Sequence, residues 1–274
     1  MMNDSILLIP ALNLLDGQLS PYIPLGLLTL KSVAREHDAE VDILPWREDW
    51  ASMIFESSSQ LADALLRDAD LERYETIGLS TICNSFHHTL AVVSLLKQRR
   101  SDLEIWLGGP HVSSLPDNVL DVLTDIDAVF VGEADETLGE VLERRRTGRR
   151  ELNGIAGIRV AGEPFVPRAP IRDLDSLPMI DFGGCYREQQ NASPQLAKRK
   201  AVTIEVSRGC PGVCTYCSTA VHWGHKARRK SDQRIIAEMR AAHESTGLTL
   251  FEFIGDNFAS PHDRLLRFCE TMAR

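Results

Sequence analysis

The sequence predicts an α/β protein: a doubly wound, Rossmann-like parallel sheet over residues 1–150, then the first part of a second β/α unit. Three observations carry this. Short apolar runs alternate with stretches of helical periodicity. Glycine and small polar residues recur directly after those runs. A cluster of three cysteines follows a late apolar run, "AVTIEVSRG". At 274 residues, 43% of them hydrophobic and 25% charged, the chain can bury one large core or two ordinary ones.

The elements come in order. "SILLIPAL" (Ser5–Leu12) lacks alternation, as expected of a strand buried on both faces. "LGLLTLKSVAREH" (Leu25–His37) has apolar residues at helical spacing, and "AEVDILPW" is a second strand. Ala51–Leu71, rich in Ala, Leu and acids, predicts one long helix. "TIGLSTI" (Thr76–Ile82) is a third strand and His88–Arg100 its helix. "LEIWLGGPH" (Leu103–His111) is a fourth strand, Asn118–Leu123 a short helix, "DAVFVGEAD" (Asp127–Asp135) a fifth strand, and "ETLGEVLERRR" the closing helix. From Asn153 a small hairpin with a turn near Ala161–Gly162 is expected, then a linker marked by Pro164, Pro167, Pro170 and Pro178. Residues 151–198 form this hairpin and linker, with "DLDSLPMIDF" as a strap across a surface. Residues 199–274 read as strand, cysteine loop, helix (Ser231–Thr246), strand ("LTLFEFIGDNFA") and helix.

Candidate ligand residues gather at one place. Asn13–Pro24, Ser80–Thr81, Gly108–Gly109–Pro110–His111 and Gly132–Glu133 all follow carboxyl ends of expected strands. In a doubly wound sheet those ends share one edge, and ligands bind there. No G-x-G-x-x-G follows the first strand, which argues against a nicotinamide or flavin dinucleotide. His87 and His88 start a helix and read as surface or cap residues.

Composition excludes other classes. The net charge of −9 disfavours general nucleic-acid binding. Leu196–Arg234 nevertheless carries nine Lys/Arg against two Asp/Glu, and the expectation is a solvated surface that balances acidic residues, with a phosphate or RNA contact as the alternative. Six cysteines are too few for a disulfide scaffold. No apolar run reaches membrane-span length, and "MMNDSILLIPAL" has no basic stretch to open a signal peptide. A cytoplasmic protein is expected.

Cys210, Cys214 and Cys217 have the spacing C-x3-C-x2-C, which lets three thiolates converge. Zinc would need a fourth ligand, with His222 or His225 near enough in sequence. A redox dithiol of Cys214 and Cys217 leaves Cys210 without a role. An iron–sulfur cube with three protein ligands leaves one iron free to chelate a small molecule.

This loop, with Tyr216 just before the last cysteine, resembles the signature of the radical S-adenosylmethionine (SAM) superfamily. "PYIPLGLLTLKSVARE", "IGLST", "WLGGPHVSSLPD" and "AVFVGEADETL" resemble, in order, the cobalamin-binding domain of its B12-dependent members. The resemblance covers nearly the whole chain. It implies a [4Fe-4S] cluster on the three cysteines, whose free iron holds SAM and whose electron cleaves it to a 5′-deoxyadenosyl radical. It implies methylation of an unactivated carbon, or a related radical rearrangement, with cobalamin carrying the methyl group. Tyr216 matches the residue beside the adenine. Gly255–Asp256–Asn257 lies where the family contacts the SAM amino group, although it is not the common Gly-Gly-Glu form, and a turn or cap role for Asp256 is the plain alternative. Leu25, Gly26, Ser80, Thr81, Gly108, Gly109, Pro110, His111, Gly132 and Glu133 are the cobalamin candidates. D-x-H-x-x-G is absent, so no histidine is expected below the cobalt, and His111 is read as a hydrogen-bonding residue.

The implied partners are a small-molecule or peptide substrate, and an electron donor such as flavodoxin or ferredoxin. The family's barrel has six βα units and this chain supplies about two, so a partner chain completing it is a further expectation. A two-strand remnant would expose "TLFEFI" (Thr249–Ile254) and make the chain pair or aggregate. Two other readings remain at this stage: a non-catalytic or partner-dependent cofactor-binding fragment, and a radical methylthiotransferase. The latter needs three more cysteines upstream, where only Cys83 and Cys185 stand.

Overall fold

The computed structural model describes residues 5–15, 18–67, 69–259 and 261–273. Asp16 and Gly17 of the expected Asn13–Pro24 loop, and Arg274 of the last expected helix, lie outside the described residues.

The five expected strands form. They are β1 (Ile6–Ile9), β4 (Val41–Ile43), β5 (Thr76–Ser80), β6 (Glu104–Gly108) and β7 (Ala128–Phe130), all parallel, in the order β4-β1-β5-β6-β7. Between β1 and β4 come a two-residue-a-side hairpin, β2 (Leu14–Leu15) with β3 (Gln18–Leu19), and then α1 (Leu25–Glu36). The chain steps from β1 outward to β4, then back past β1 to β5. That reversal opens a crevice at the carboxyl ends of β1 and β5.

Alternate strand residues serve two cores. Leu7, Ile9, Ile77, Leu79, Ile105 and Leu107 pack toward α2 (Ser58–Leu66) and α3 (Phe86–Arg99). Ile6, Leu8, Trp106 and Phe130 face the other side, with α1 and α5 (Asp135–Arg146), and this core runs on into the second sheet. A short α4 (Pro110–Ser113) follows β6.

Three expectations are corrected. The helix over Ala51–Leu71 is broken into a 3₁₀ turn at Glu48–Ser52, α2, and a 3₁₀ turn at Leu71–Arg73. Ser57 starts α2 as its cap, accepting from the Gln60 amide at 3.2 Å, and Phe55 anchors the chain before it in the core. The segment after Asn153 is not an independent hairpin: β8 (Ile158–Arg159) pairs antiparallel with β7 and becomes the sixth strand of the first sheet. The linker is also more structured than its prolines suggest. It holds a π-type turn at Phe182–Tyr186, then α6 (Arg187–Asn191) and α7 (Pro194–Arg199). The fully buried Tyr186 hydroxyl accepts from the Thr203 amide at 2.7 Å, tying this stretch to the strand that follows. The strap behaves as expected of one: Asp175 accepts from the Ser231 amide, and Arg234 donates to the carbonyls of Asp175 and Leu177.

The second sheet has the order β10-β9-β11. β9 (Ala201–Arg208) is central and buried; β10 (Arg228–Arg229) pairs with it antiparallel and β11 (Leu250–Gly255) parallel. α8 (Thr219–Trp223) lies between β9 and β10, α9 (Asp232–Thr246) precedes β11, and α10 (His262–Met272) follows it. β10 and β11 are the edges of this sheet among the described residues, and β11 leaves Leu250 58% and Ile254 43% exposed.

Candidate functional site

The carboxyl edge of the first sheet is closed by hydrogen bonds. Thr81, fully buried, donates its hydroxyl to the Gly108 carbonyl at 2.7 Å and accepts from the Val112 amide at 3.3 Å. Gly109 sits at φ +97°. A Cβ there would stand 2.8 Å from the Thr81 carbonyl oxygen and 2.9 Å from its nitrogen, so no side chain fits without moving backbone. Ser113 donates to the Gly109 carbonyl at 2.8 Å and accepts from the Gly132 amide at 2.9 Å, joining the turns after β6 and β7. His111 packs against Phe86, the rings tilted by 54° with centroids 4.4 Å apart, and partial burial lowers its pKa from the ordinary imidazole value. Leu25 is buried at the start of α1, and Gly26 beside it is exposed with open space where a Cβ would stand. Thus the turn at Gly108–His111 offers backbone, while Thr81 acts only by holding that turn. His88 bonds Ser58 through Nδ1 at 2.8 Å and is a first-turn residue of α3.

The cysteine loop is built differently. β9 ends at Arg208, and Gly209 turns the chain at φ +86°, its Cβ position 2.5 Å from the Lys226 carbonyl oxygen. Beyond it the loop stands out: Val213 is 83% and Tyr216 90% exposed. Cys210 is half-buried, Cys214 and Cys217 are exposed, and all three are free thiols. The sulphurs of Cys210 and Cys214 both lie within 4 Å of the point where a Cβ on Gly212 would stand. The Thr219 hydroxyl, then its amide, hydrogen-bond the Cys217 sulphur and hold that thiol below its usual pKa. Asp256 staples both ends of the loop: Oδ2 accepts from the Gly209 amide at 2.9 Å, Oδ1 from the Thr219 hydroxyl at 3.4 Å. It sits just past Gly255, which lies so close to Ser207 that a Cβ would collide with the Ser207 hydroxyl.

The donor set fits a cluster. Three soft thiols on one exposed loop, one already eased toward thiolate, suit iron–sulfur ligation. Among the described residues no three His, Cys, Asp or Glu side chains are already drawn together as a metal centre, so the loop would close around its ion. His222 is half-buried, and its pKa is depressed to about 4, by burial first and then by the charge of Arg208, so its ring is neutral near pH 7.

The basic stretch around the loop is divided: Lys198, Arg199, Lys200 and Lys226 are exposed, whereas three of its nine cations are internal. Arg208, Arg228 and Lys230 are buried. Arg208 meets Glu133 at 3.0 Å, Asp135 at 2.8 Å and Glu205 at 3.1 Å; Arg228 meets Glu133 at 2.5 Å; Lys230 meets Glu238 at 2.7 Å. The expectation of a solvated basic surface balancing acidic residues therefore holds for the exposed lysines and Arg199 and is corrected for Arg208, Arg228 and Lys230, which balance their carboxylates in the interior. Glu133, a cobalamin candidate by sequence, is engaged on two guanidinium groups. Asp135 and Arg208 were not singled out in the sequence. The two sites adjoin, because α4 packs against α8. Among the described residues, no helix is long and apolar enough to cross a membrane.

The chain is similar to known proteins along most of its length. Residues 19–142 match the family described as the B12 binding domain. An uncharacterised methyltransferase of Pyrococcus horikoshii is 28% identical over 242 residues, covering 86% of this chain and 49% of that protein. The cobalamin-dependent radical SAM methyltransferase TokK of Streptomyces tokunonensis is 22% identical over 225 residues, 80% of this chain and 32% of its own. The chain thus spans about half the length of the first relative and a third of the second. The fold matches that of the radical SAM methyltransferase TsrM of Kitasatospora setae, solved with cobalamin and a [4Fe-4S] cluster, at a TM-score of 0.67 and 14% identity, over 98% of this chain and 51% of that one. Residues 19–142 thus match the B12 binding domain, and over most of its length the chain is similar to methyltransferases that include a cobalamin-dependent radical SAM enzyme.

Proposed function

We propose that this chain forms the cobalamin-binding domain and the cluster-bearing start of a radical SAM methyltransferase. One observation carries the reading: an exposed loop of three free cysteines stands at the carboxyl end of β9, and the helix that follows it packs against the glycine turn of the B12-binding sheet. The chemistry these groups supply when bound is reductive cleavage of the SAM sulfonium and carriage of a methyl group.

The chain's own residues bind and orient. Cys210, Cys214 and Cys217 would hold the cluster. Tyr216, almost fully exposed, is free to lie against an adenine. Asp256 orients the loop rather than standing free for the SAM amino group, since both its oxygens accept from the loop's ends. The backbone of Gly108 and Gly109, held by Thr81, would line the corrin site, and His111, its proton affinity lowered by burial, serves as a neutral hydrogen-bonding group. Hydrogen abstraction from an unactivated carbon, a small-molecule or peptide substrate, and a flavodoxin- or ferredoxin-type reductant complete the reading. The exposed edge of β11 suits further barrel strands, and self-association of this chain is the matching expectation.

Anaerobic reconstitution with iron, sulfide and hydroxocobalamin tests it. Retained corrinoid, about four irons per chain, and an EPR signal that changes when SAM is added support the proposal. Zinc uptake with no response to corrinoid or SAM sinks it.

A further inference from the structure

The two sheets meet through buried charge as well as apolar packing. Arg208 is the last residue of β9 and is 3% exposed. Its guanidinium donates to Glu133 Oε2 at 3.0 Å, to both oxygens of Asp135 at 2.8 and 3.4 Å, and to Glu205 at 3.1 Å, with Trp223 beneath it at 5.0 Å. Arg228 takes the other Glu133 oxygen and also donates to the carbonyls of Ile171 and Trp223. Glu133 follows Gly132, whose amide is held by Ser113, which in turn holds the Gly109 carbonyl. A bonded path therefore runs from the glycine turn of the first sheet to the residue that precedes Gly209 and Cys210.

Burial makes this junction nearly all-or-none. An exposed pair of this kind would contribute little. Here, removing Glu133 leaves buried Arg228 with backbone carbonyls alone and Arg208 with two carboxylates in place of three, so the network loses both charge balance and a fixed geometry. We propose that Glu133 and Asp135 are positioning residues for the cysteine loop. They act through Arg208, and they fix the root of that loop relative to the glycine turn. The functional meaning rests on reading the loop as the cluster site; the positioning itself does not.

The test uses the full chain without cofactors. Peptide-resolved hydrogen exchange is followed over residues 206–212, together with the alkylation rate of the half-buried Cys210, in wild type, Glu133→Gln and Asp135→Asn. Glu238→Gln serves as the control. It removes an equally buried carboxylate shared by Lys230 and Arg234 in the same part of the chain without touching Arg208. The expected result is a rise of at least about tenfold in exchange over 206–212 and in Cys210 alkylation for Glu133→Gln, with β1 and β5 unchanged and Glu238→Gln at wild-type rates there. If Glu133→Gln does not fold, Asp135→Asn gives the same comparison, because it removes only one of three carboxylates from Arg208. Unchanged rates over 206–212, a rise spread across both sheets, or the same rise in Glu238→Gln overturns the proposal. After reconstitution, Glu133→Gln should release iron to a chelator faster while retaining corrinoid. A wild-type chain that takes up no cluster would refute the proposed function and leave the exchange result standing.

Discussion

Two turns of this chain start alike and end differently. Gly109 and Gly209 each follow the carboxyl end of a parallel strand, each at positive φ, each pressed against a backbone carbonyl, that of Thr81 in one case and Lys226 in the other. After Gly109 the chain winds at once into α4, and its polar groups are taken up by Thr81 and Ser113. After Gly209 the chain runs out into solvent and is secured mainly where it leaves and returns, by Asp256. The first turn is a finished surface, to which a large rigid ligand can bind with little ordering cost. The second, on the proposed reading, would be a set of ligands whose arrangement is completed by what they bind.

The contrast can be broken at its strongest point first. Cys214→Ala should lower retained iron by ~100-fold or more while changing the melting temperature of the cofactor-free chain by no more than about 2 °C, as removal of an exposed metal ligand requires. Iron analysis and a thermal melt check both. Next come the glycines. Gly109→Ala should cost about 3 kcal/mol, since strain at positive φ adds to collision with the backbone of Thr81. Gly209→Ala should cost less, because the loop beyond it can shift; denaturant unfolding of the two variants gives the order, and an equal cost would end the distinction.

A third prediction concerns acid. His222 is depressed to about 4 by burial and the nearby Arg208 charge, so the unfolded chain takes up a proton there before the folded chain does. Stability from this group is present above about pH 6.5 and is lost as pH falls toward 4, by ~3 kcal/mol at most. His222→Gln should flatten that part of the stability profile. The smallest effect is expected at Tyr216. Tyr216→Ala should leave the cofactor-free chain within about 0.5 kcal/mol of wild type while weakening SAM binding after reconstitution. A large loss of stability would mean that the loop packs on something in solution.

Much of the fold was legible because it is local. Five parallel strands announce themselves as short apolar runs, and their turn residues share an edge because a doubly wound sheet brings every carboxyl end to one side. The cysteine spacing is equally local, and the family resemblance drawn from it agrees with the comparisons. What escaped depends on distant partners. Ala51–Leu71 has helical composition, yet Phe55 turns into the core and Ser57 restarts the helix. Residues 151–198 read as linker because prolines mask Phe182 and Tyr186, whose place is set by β9. Glu133 looked like a ligand residue because it follows a glycine on the functional edge; its partner Arg208 is 75 residues away, and no spacing in the sequence signals that pair.

That separation bears on how the chain is made. Synthesis delivers Glu133 and Asp135 well before Arg208 and Arg228, so the first sheet can fold on the ribosome with these carboxylates still hydrated. Their dehydration waits for β9 and β10, which bring the neutralising guanidinium groups with them. Neither half of the nascent polypeptide is obliged to bury a lone charge. Charge burial is thereby deferred to the moment the two sheets dock, whichever of them forms first.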